Sequence, residues 1–112
     1  MKGVFVELPA FSRHLKTHFT DEEYRNFQVF LLENPEAGDL IQGTSGLRKV
    51  RWHDPVRGKG KRGGVRIIYY WWRGGSQFWL FTLYDKEALS DLTAEQKRML
   101  RQMLERELAH RS

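Results

Sequence analysis

The stretch VRIIYYWWRGGSQFWLFTLY, residues 65–84, decides the fold. Its two halves, 65–72 and 77–84, are rich in β-branched and aromatic residues, which is typical of β-strands. Between them, RGGS at 73–76 predicts a hairpin turn in which the glycines take positive φ. Because both strands are apolar on both faces, we expect them to be central in a sheet and covered, at least in part, on both sides.

Further elements are predicted on either side of this hairpin. Strands are expected at 3–7 and 47–52, and 38–46 is expected to be a loop. Two helices lie between the strands: the first opens at Pro9, and the second follows a capping box at Thr20 and Glu23. A last helix begins within 92–96, with Thr93 as its N-cap and Gln96 in the capping-box position.

The element order is therefore β-α-α-β-β-β-α. It predicts a single α+β domain over residues 1–112, in which a helical hairpin and a C-terminal helix pack on a mainly antiparallel, four-stranded twisted sheet.

One segment accounts for the basic character of this 112-residue chain, whose formal net charge is +5. Eight basic residues and a single acid, Asp54, lie between Arg48 and Arg66, so the segment carries +7 and the remainder carries −2. Such a patch attracts phosphate and raises the rate of encounter with a polyanion. We therefore expect contact with nucleic acid.

Composition and spacing exclude several kinds of site. The absence of cysteine excludes disulfides, thiolate metal sites and a thiol nucleophile. The four histidines lack metal-ligand spacing with carboxylates, so neither a metal nor a cofactor is predicted. The first nine residues are too short for a signal peptide, and no apolar run approaches the ~20 residues that cross a bilayer. We expect a cytoplasmic protein with no membrane partner.

Arg66 is the first candidate site residue because it begins a strand that is otherwise apolar. An arginine in that position needs an anionic partner, since burying an unpaired charge is costly. The partner is either a carboxylate of the protein, such as Glu7 or Asp85, or a phosphate of a ligand. The many cations and single acid nearby favour the phosphate.

The glycine-rich segment 54–64 is predicted to be a long basic loop that carries Lys59, Lys61 and Arg62. Charged loops of this kind are commonly just solvated surface. They also bind nucleic acid without sequence preference, because their cations release counterions from phosphate. Both interpretations stay open for this segment.

Tyr84 and Lys86 lie at the end of the last predicted strand. Tyr84 can stack on a base, donate a hydrogen bond to phosphate, or fill the core; Lys86 is either a ligand-binding cation or a solvated turn residue. An antiparallel sheet can bring this strand end beside Arg66, but the sequence does not determine the register. The role of both residues therefore depends on the fold.

Three motifs resemble the HigB branch of the RelE toxin superfamily: GLRKVR at 46–51, GKGKRGGVRIIYY at 58–70, and LYDK at 83–86 followed by DLT at 91–93. The second motif is specific, the motifs occur in the expected order, and the resemblance covers nearly the whole chain. The resemblance implies a RelE-like fold and a type II toxin that cleaves mRNA at the ribosome without a metal. It also implies a HigA-like helix-turn-helix antitoxin as partner, and contact with operator DNA only through that antitoxin.

The resemblance also assigns functional positions, by matching residues. It implies RNA-binding roles for Arg48, Arg51, Lys59 and Arg62, and catalytic roles for Lys61, Arg66, Tyr84 and Lys86. Attack of a 2′-hydroxyl on the adjacent phosphorus needs a base, charge stabilisation and an acid. Lys61 or Lys59 is the expected base, because neighbouring cations favour the neutral form of a lysine. Arg66 is expected to hold the phosphate, Tyr84 to stack on the nucleotide, and Lys86 to assist the leaving group.

A second class of function stays open beside this one. The same fold can serve as a non-catalytic nucleic-acid-binding or interaction module, with Arg66 as a structural clamp. Growth arrest and cut transcripts that depend on Arg66 favour the nuclease, whereas harmless, salt-sensitive binding to any nucleic acid favours the module.

Overall fold

The computed structural model describes residues 4–52, 64–85 and 91–111. Within these ranges the chain forms three α-helices and five strands, which agrees with the predicted α+β class. In chain order the elements are β1 (Val4–Glu7), α1 (Pro9–His18), α2 (Asp21–Glu33), β2 (Asp39–Leu40), β3 (Arg48–Trp52), β4 (Val65–Trp72), β5 (Gln77–Asp85) and α3 (Ala94–Arg111).

The five strands form one mixed sheet in the order β1-β5-β4-β3-β2. The strands from β5 to β2 are antiparallel to their neighbours, while β1 pairs with β5 in parallel. The prediction of four strands is therefore wrong. The additional strand, β2, lies in the segment predicted as a loop, and its two residues are too few to show an alternating pattern.

Helices cover both faces of the central strands β4 and β5, as the two-sided apolar pattern predicts. On one face, α1 and α2 supply Phe11, Phe27 and Leu31 to a core that includes Ile67 and Leu83. On the other face, α3 packs Leu100 and Leu104 against Ile68, Trp79 and Phe81. Tyr84 and Leu92 belong to the α3 side, so this side of the sheet contains the candidate site.

The turn between β4 and β5 differs from the prediction in its backbone. It is a short 3-10 turn, Arg73–Gly75, and the residue with positive φ is Ser76, at 52°, rather than either glycine. Gly75 is required for a different reason: a Cβ there would lie 2.5 Å from the ring of Trp72. The glycine lets an aromatic ring pack on the turn.

Both predicted capping boxes are present. The Thr20 hydroxyl accepts from the Glu23 N–H at 3.1 Å, and the Glu23 carboxylate accepts from the Thr20 N–H at 2.8 Å. Thr93 and Gln96 make the same reciprocal pair at 3.1 and 2.9 Å. This second box fixes the start of α3, directly after Asp91 and Leu92, on the side of the sheet that holds Tyr84.

Candidate functional site

Three of the predicted site residues form one row across three strands. Arg51 of β3 pairs with Arg66 of β4, and Arg66 pairs with Tyr84 of β5. Residues directly opposite each other share a face of the sheet, with Cβ atoms about 5 Å apart. A guanidinium group can bind two oxygens of one phosphate, and a phenol can donate to a third. The row therefore suits a phosphate.

A β-bulge sets the register of this row. Near the turn, Trp72 pairs with Gln77 and Tyr69 with Leu80, but beyond Tyr69 the register shifts by one residue, so that Ile68 pairs with Thr82. Bulges recur beside active sites because they re-aim side chains. The shift is what places Tyr84, rather than its neighbour, opposite Arg66.

Tyr84 remains a neutral hydrogen-bond donor at physiological pH. Burial raises the pKa of its phenol above the ordinary value, and the charge of Asp91 adds to this, while the guanidinium of Arg66 acts in the opposite direction. The phenol thus lies within electrostatic reach of one cation and one carboxylate.

The hydroxyl of Tyr84 is buried and forms no hydrogen bond within the described residues. An unsatisfied buried hydroxyl costs about 1–3 kcal/mol, and such groups are rare enough in folded proteins to need an explanation. Since Arg66 lies directly opposite, an anion bound to Arg66 offers the missing acceptor. Tyr84 therefore has a polar group suited to a ligand.

A groove of about 540 Å³ adjoins Tyr84 between α1, the end of β5 and α3. Its lining is mainly apolar and includes Phe81, Leu92, Leu100 and Met103. A mainly apolar groove beside cationic side chains is suited to a nucleobase and its phosphate.

Sequence reasoning missed two residues that lie on this face. Lys49 precedes Arg51 by two positions in β3 and therefore shares its face. Its ammonium lies 3.7 Å from the carboxylate of Asp91. Alternation along the predicted strand 47–52 signals Lys49, but nothing local in the sequence signals that Asp91 lies beside it.

Arg48 is not brought into the row. It alternates with Lys49, so it lies on the face covered by α1 and α2, where it pairs with Tyr69 across the ladder. Its guanidinium donates to the carbonyl of Gly38 at 2.7 Å and lies 3.6 Å from the carboxylate of Glu36. These contacts tie β3 to the segment that follows α2.

Several other expectations concern residues outside the described ranges. They are Lys59, Lys61 and Arg62 of the basic segment, together with Lys86.

The two carboxylates suggested as partners of Arg66 have other positions. Glu7 accepts hydrogen bonds from Ser12 and Tyr24, each at 2.7 Å, on the helical-hairpin side. Asp85 follows Tyr84 by one residue and therefore lies on the opposite face of β5.

The described residues contain neither a cluster suited to a metal ion nor a helix suited to a bilayer. No group of three or more His, Asp or Glu side chains there is placed to hold a metal ion. Among the helices in the same ranges, none combines the length and apolarity that a membrane crossing requires.

The architecture is similar to that of a known toxin. No protein-family model matches the chain. The fold is similar to a solved structure of the E. coli toxin RelE, a mutant in the free state, with a TM-score of 0.57 and 16% sequence identity over 80% of this chain and 90% of the RelE chain. At that identity the similarity concerns the fold, and the protein therefore has a RelE-like fold.

Proposed function

We propose that the protein is the toxin of a type II toxin–antitoxin system, of the HigB branch, and that it cleaves mRNA on the ribosome. The observation that carries the proposal is the row of Arg51, Arg66 and Tyr84, which presents two cations and a phenol on one face. The RelE-like fold supports the same conclusion. The expected partners are a HigA-like antitoxin, the ribosome and mRNA, in the cytoplasm.

The chemistry is transfer of a phosphodiester within the RNA. The 2′-oxygen forms a bond to phosphorus, the bond to the 5′-oxygen breaks, and the products are a 2′,3′-cyclic phosphate and a 5′-hydroxyl. One proton leaves the 2′-hydroxyl and one reaches the departing 5′-oxygen, so the step needs no further reactant. The ribosome contributes by holding the mRNA in a reactive geometry.

The residues divide this work by their chemistry. Arg66 binds the phosphate oxygens and stabilises the charge that develops on them, because a guanidinium can bind two oxygens at once. Tyr84 orients the nucleotide and donates its hydroxyl to the phosphate, and Arg51 binds the RNA beside Arg66. Lys61 or Lys59 takes the proton and Lys86 assists the leaving group; Arg62 contacts RNA.

A translation assay with purified ribosomes and a defined mRNA tests the proposal. The wild type is expected to cut the mRNA, and Arg66→Ala to cut it about 10²–10³ times more slowly. Arg73→Ala is the matched control, since Arg73 is an exposed arginine at the other end of β4 and its loss leaves the row intact. The new 3′ ends should carry a cyclic phosphate.

Two outcomes contradict the proposed mechanism of cleavage. One is cutting of an mRNA that carries 2′-deoxynucleotides at the cleavage sites, because the attacking group is then missing. The other is equal cutting by the wild type and by folded Arg66→Ala. If the wild type binds many nucleic acids in a salt-sensitive way and cuts none, the protein is the non-catalytic module.

A further inference from the structure

Lys49 and Asp91 meet on the face that holds the row, although they are distant in sequence. Lys49 pairs with Ile68. This pair lies two residues along the strands from the Arg51–Arg66 pair, on the same face of the sheet. Two residues along a strand are about 7 Å apart, so β3 presents cations at two successive positions. Asp91 lies three residues before Ala94, where α3 begins.

The carboxylate of Asp91 is held in place by two groups. Its Oδ1 accepts from the N–H of Leu92 at 2.8 Å and lies 3.7 Å from the ammonium of Lys49. The Leu92 N–H first, and the charge of Lys49 second, lower the pKa of Asp91, so the carboxylate is charged at neutral pH. Asp91 therefore fixes where the Lys49 ammonium lies.

Stability alone gives a weak reason for this pair. Two-thirds of the Asp91 side chain and a third of the Lys49 side chain are exposed, at 69% and 33%. Ion pairs this exposed contribute little to folding.

From this arrangement we infer that Lys49 binds the RNA phosphate adjacent to the one held by Arg66, and that Asp91 is the positioning residue that holds its ammonium there. The inference rests on the proposed function, because it assigns two more residues to the same RNA-binding face. Asp91 acts only through Lys49 and needs no contact with RNA.

The same translation assay separates a role in RNA binding from a structural tie. Lys49→Ala is expected to lower the cleavage rate about tenfold, while Lys49→Arg stays within about threefold of the wild type because it keeps the charge. The plot of log rate against log salt should lose about one unit of slope in Lys49→Ala. Lys16→Ala, on the exposed side of α1, is the control for loss of one positive charge.

Asp91 is tested through its dependence on Lys49. Asp91→Asn should lower cleavage about threefold in the wild-type background and have no effect when Lys49 is alanine, because the two residues act as one unit. The charge swap Lys49→Asp with Asp91→Lys rebuilds the ion pair. It should leave the midpoint of urea unfolding near the wild-type value, because so exposed a pair adds little stability, and leave cleavage as low as in Lys49→Ala.

The results that overturn the inference are distinct from those that overturn the nuclease. If the wild type cuts and needs Arg66, but Lys49→Ala cuts as fast as Lys16→Ala, only the inference fails. It also fails if the charge swap cleaves as fast as the wild type, since the pair is then a structural tie. If the wild type does not cut RNA, both fail together.

Discussion

Arg66 of β4 faces Tyr84 of β5 directly across an antiparallel ladder, and a one-residue bulge creates that pairing. Had the register of the turn continued to the end of the hairpin, Leu83 would face Arg66 instead. Shifting the pairing register of a strand by one residue moves each of its side chains to the other face of the sheet. Tyr84 would then lie on the face opposite Arg66. The site therefore depends on an irregularity in the sheet as much as on the residues in it.

The hydroxyl of Tyr84 provides the first prediction. Tyr84→Phe removes a buried hydroxyl that has no hydrogen-bond partner in the described residues, so we expect the free energy of unfolding to stay constant or to rise by up to about 1 kcal/mol. Cleavage of mRNA should fall about tenfold, because the phosphate held by Arg66 loses a donor. Urea unfolding and the ribosome assay measure the two effects. A loss of stability together with full activity would contradict this role.

Tyr69 offers the matched comparison. It is a tyrosine of the neighbouring strand β4, and its hydroxyl both donates and accepts a hydrogen bond. It donates to the carbonyl of Pro35 and accepts from the N–H of Gly38, each at 3.0 Å, on the helical-hairpin side. Tyr69→Phe leaves both backbone groups without this partner, so we expect a loss of about 1–3 kcal/mol in unfolding free energy. Below the unfolding transition, cleavage per folded molecule should equal that of the wild type.

Arg48 and Arg51 are expected to differ although they are three residues apart in one strand. Arg51→Ala should lower cleavage about tenfold with little change in stability, because Arg51 is exposed on the face with Arg66. Arg48→Ala should instead lower the unfolding free energy by about 1–2 kcal/mol, because its guanidinium contacts Gly38 and Glu36. Equal tenfold losses of cleavage in the two variants at matched folded fractions would show that both contact RNA.

Local patterns were sufficient to predict the elements and their ends. The apolar stretch 65–84 gave both central strands, and Thr20 and Thr93 marked two helix starts because a capping box involves residues only three apart. The two-residue strand β2 has no such signal. The parallel pairing of β1 with β5 joins the first strand of the chain to the last. No short window of sequence contains both strands.

The site was predicted in its residue types but not in its geometry. A basic patch that ends in Arg66 and a tyrosine at a strand end are visible in the sequence, while their opposition depends on where the bulge falls in the ladder. Once β3 is known, the alternation of side chains along a strand is enough to predict that Arg48 and Arg51 lie on opposite faces of the sheet. The contact between Lys49 and Asp91 crosses from the sheet to the start of α3, so only the folded chain reveals it.

Alkaline pH provides the last prediction, because burial raises the pKa values of Tyr24, Tyr69 and Tyr84 in the folded protein. In the unfolded chain these phenols ionise near pH 10. Above that pH the folded state keeps protons that the unfolded state has lost. The free energy of unfolding therefore keeps its full value below about pH 10 and falls as the pH rises further. Urea unfolding between pH 8 and 11 measures this decline.

Tyr24→Phe isolates one contribution to that decline. The Tyr24 hydroxyl donates to the Glu7 carboxylate at 2.7 Å; burial first, and this bond second, raise its pKa. The variant should lose about 1 kcal/mol at pH 8, where the hydrogen bond is intact, and its stability should then fall less steeply above pH 10, by up to about 1.4 kcal/mol per pH unit. The two unfolding curves therefore converge as the pH rises. Parallel curves would mean that the folded state does not retain the Tyr24 proton, and that the bond to Glu7 does not survive into alkali.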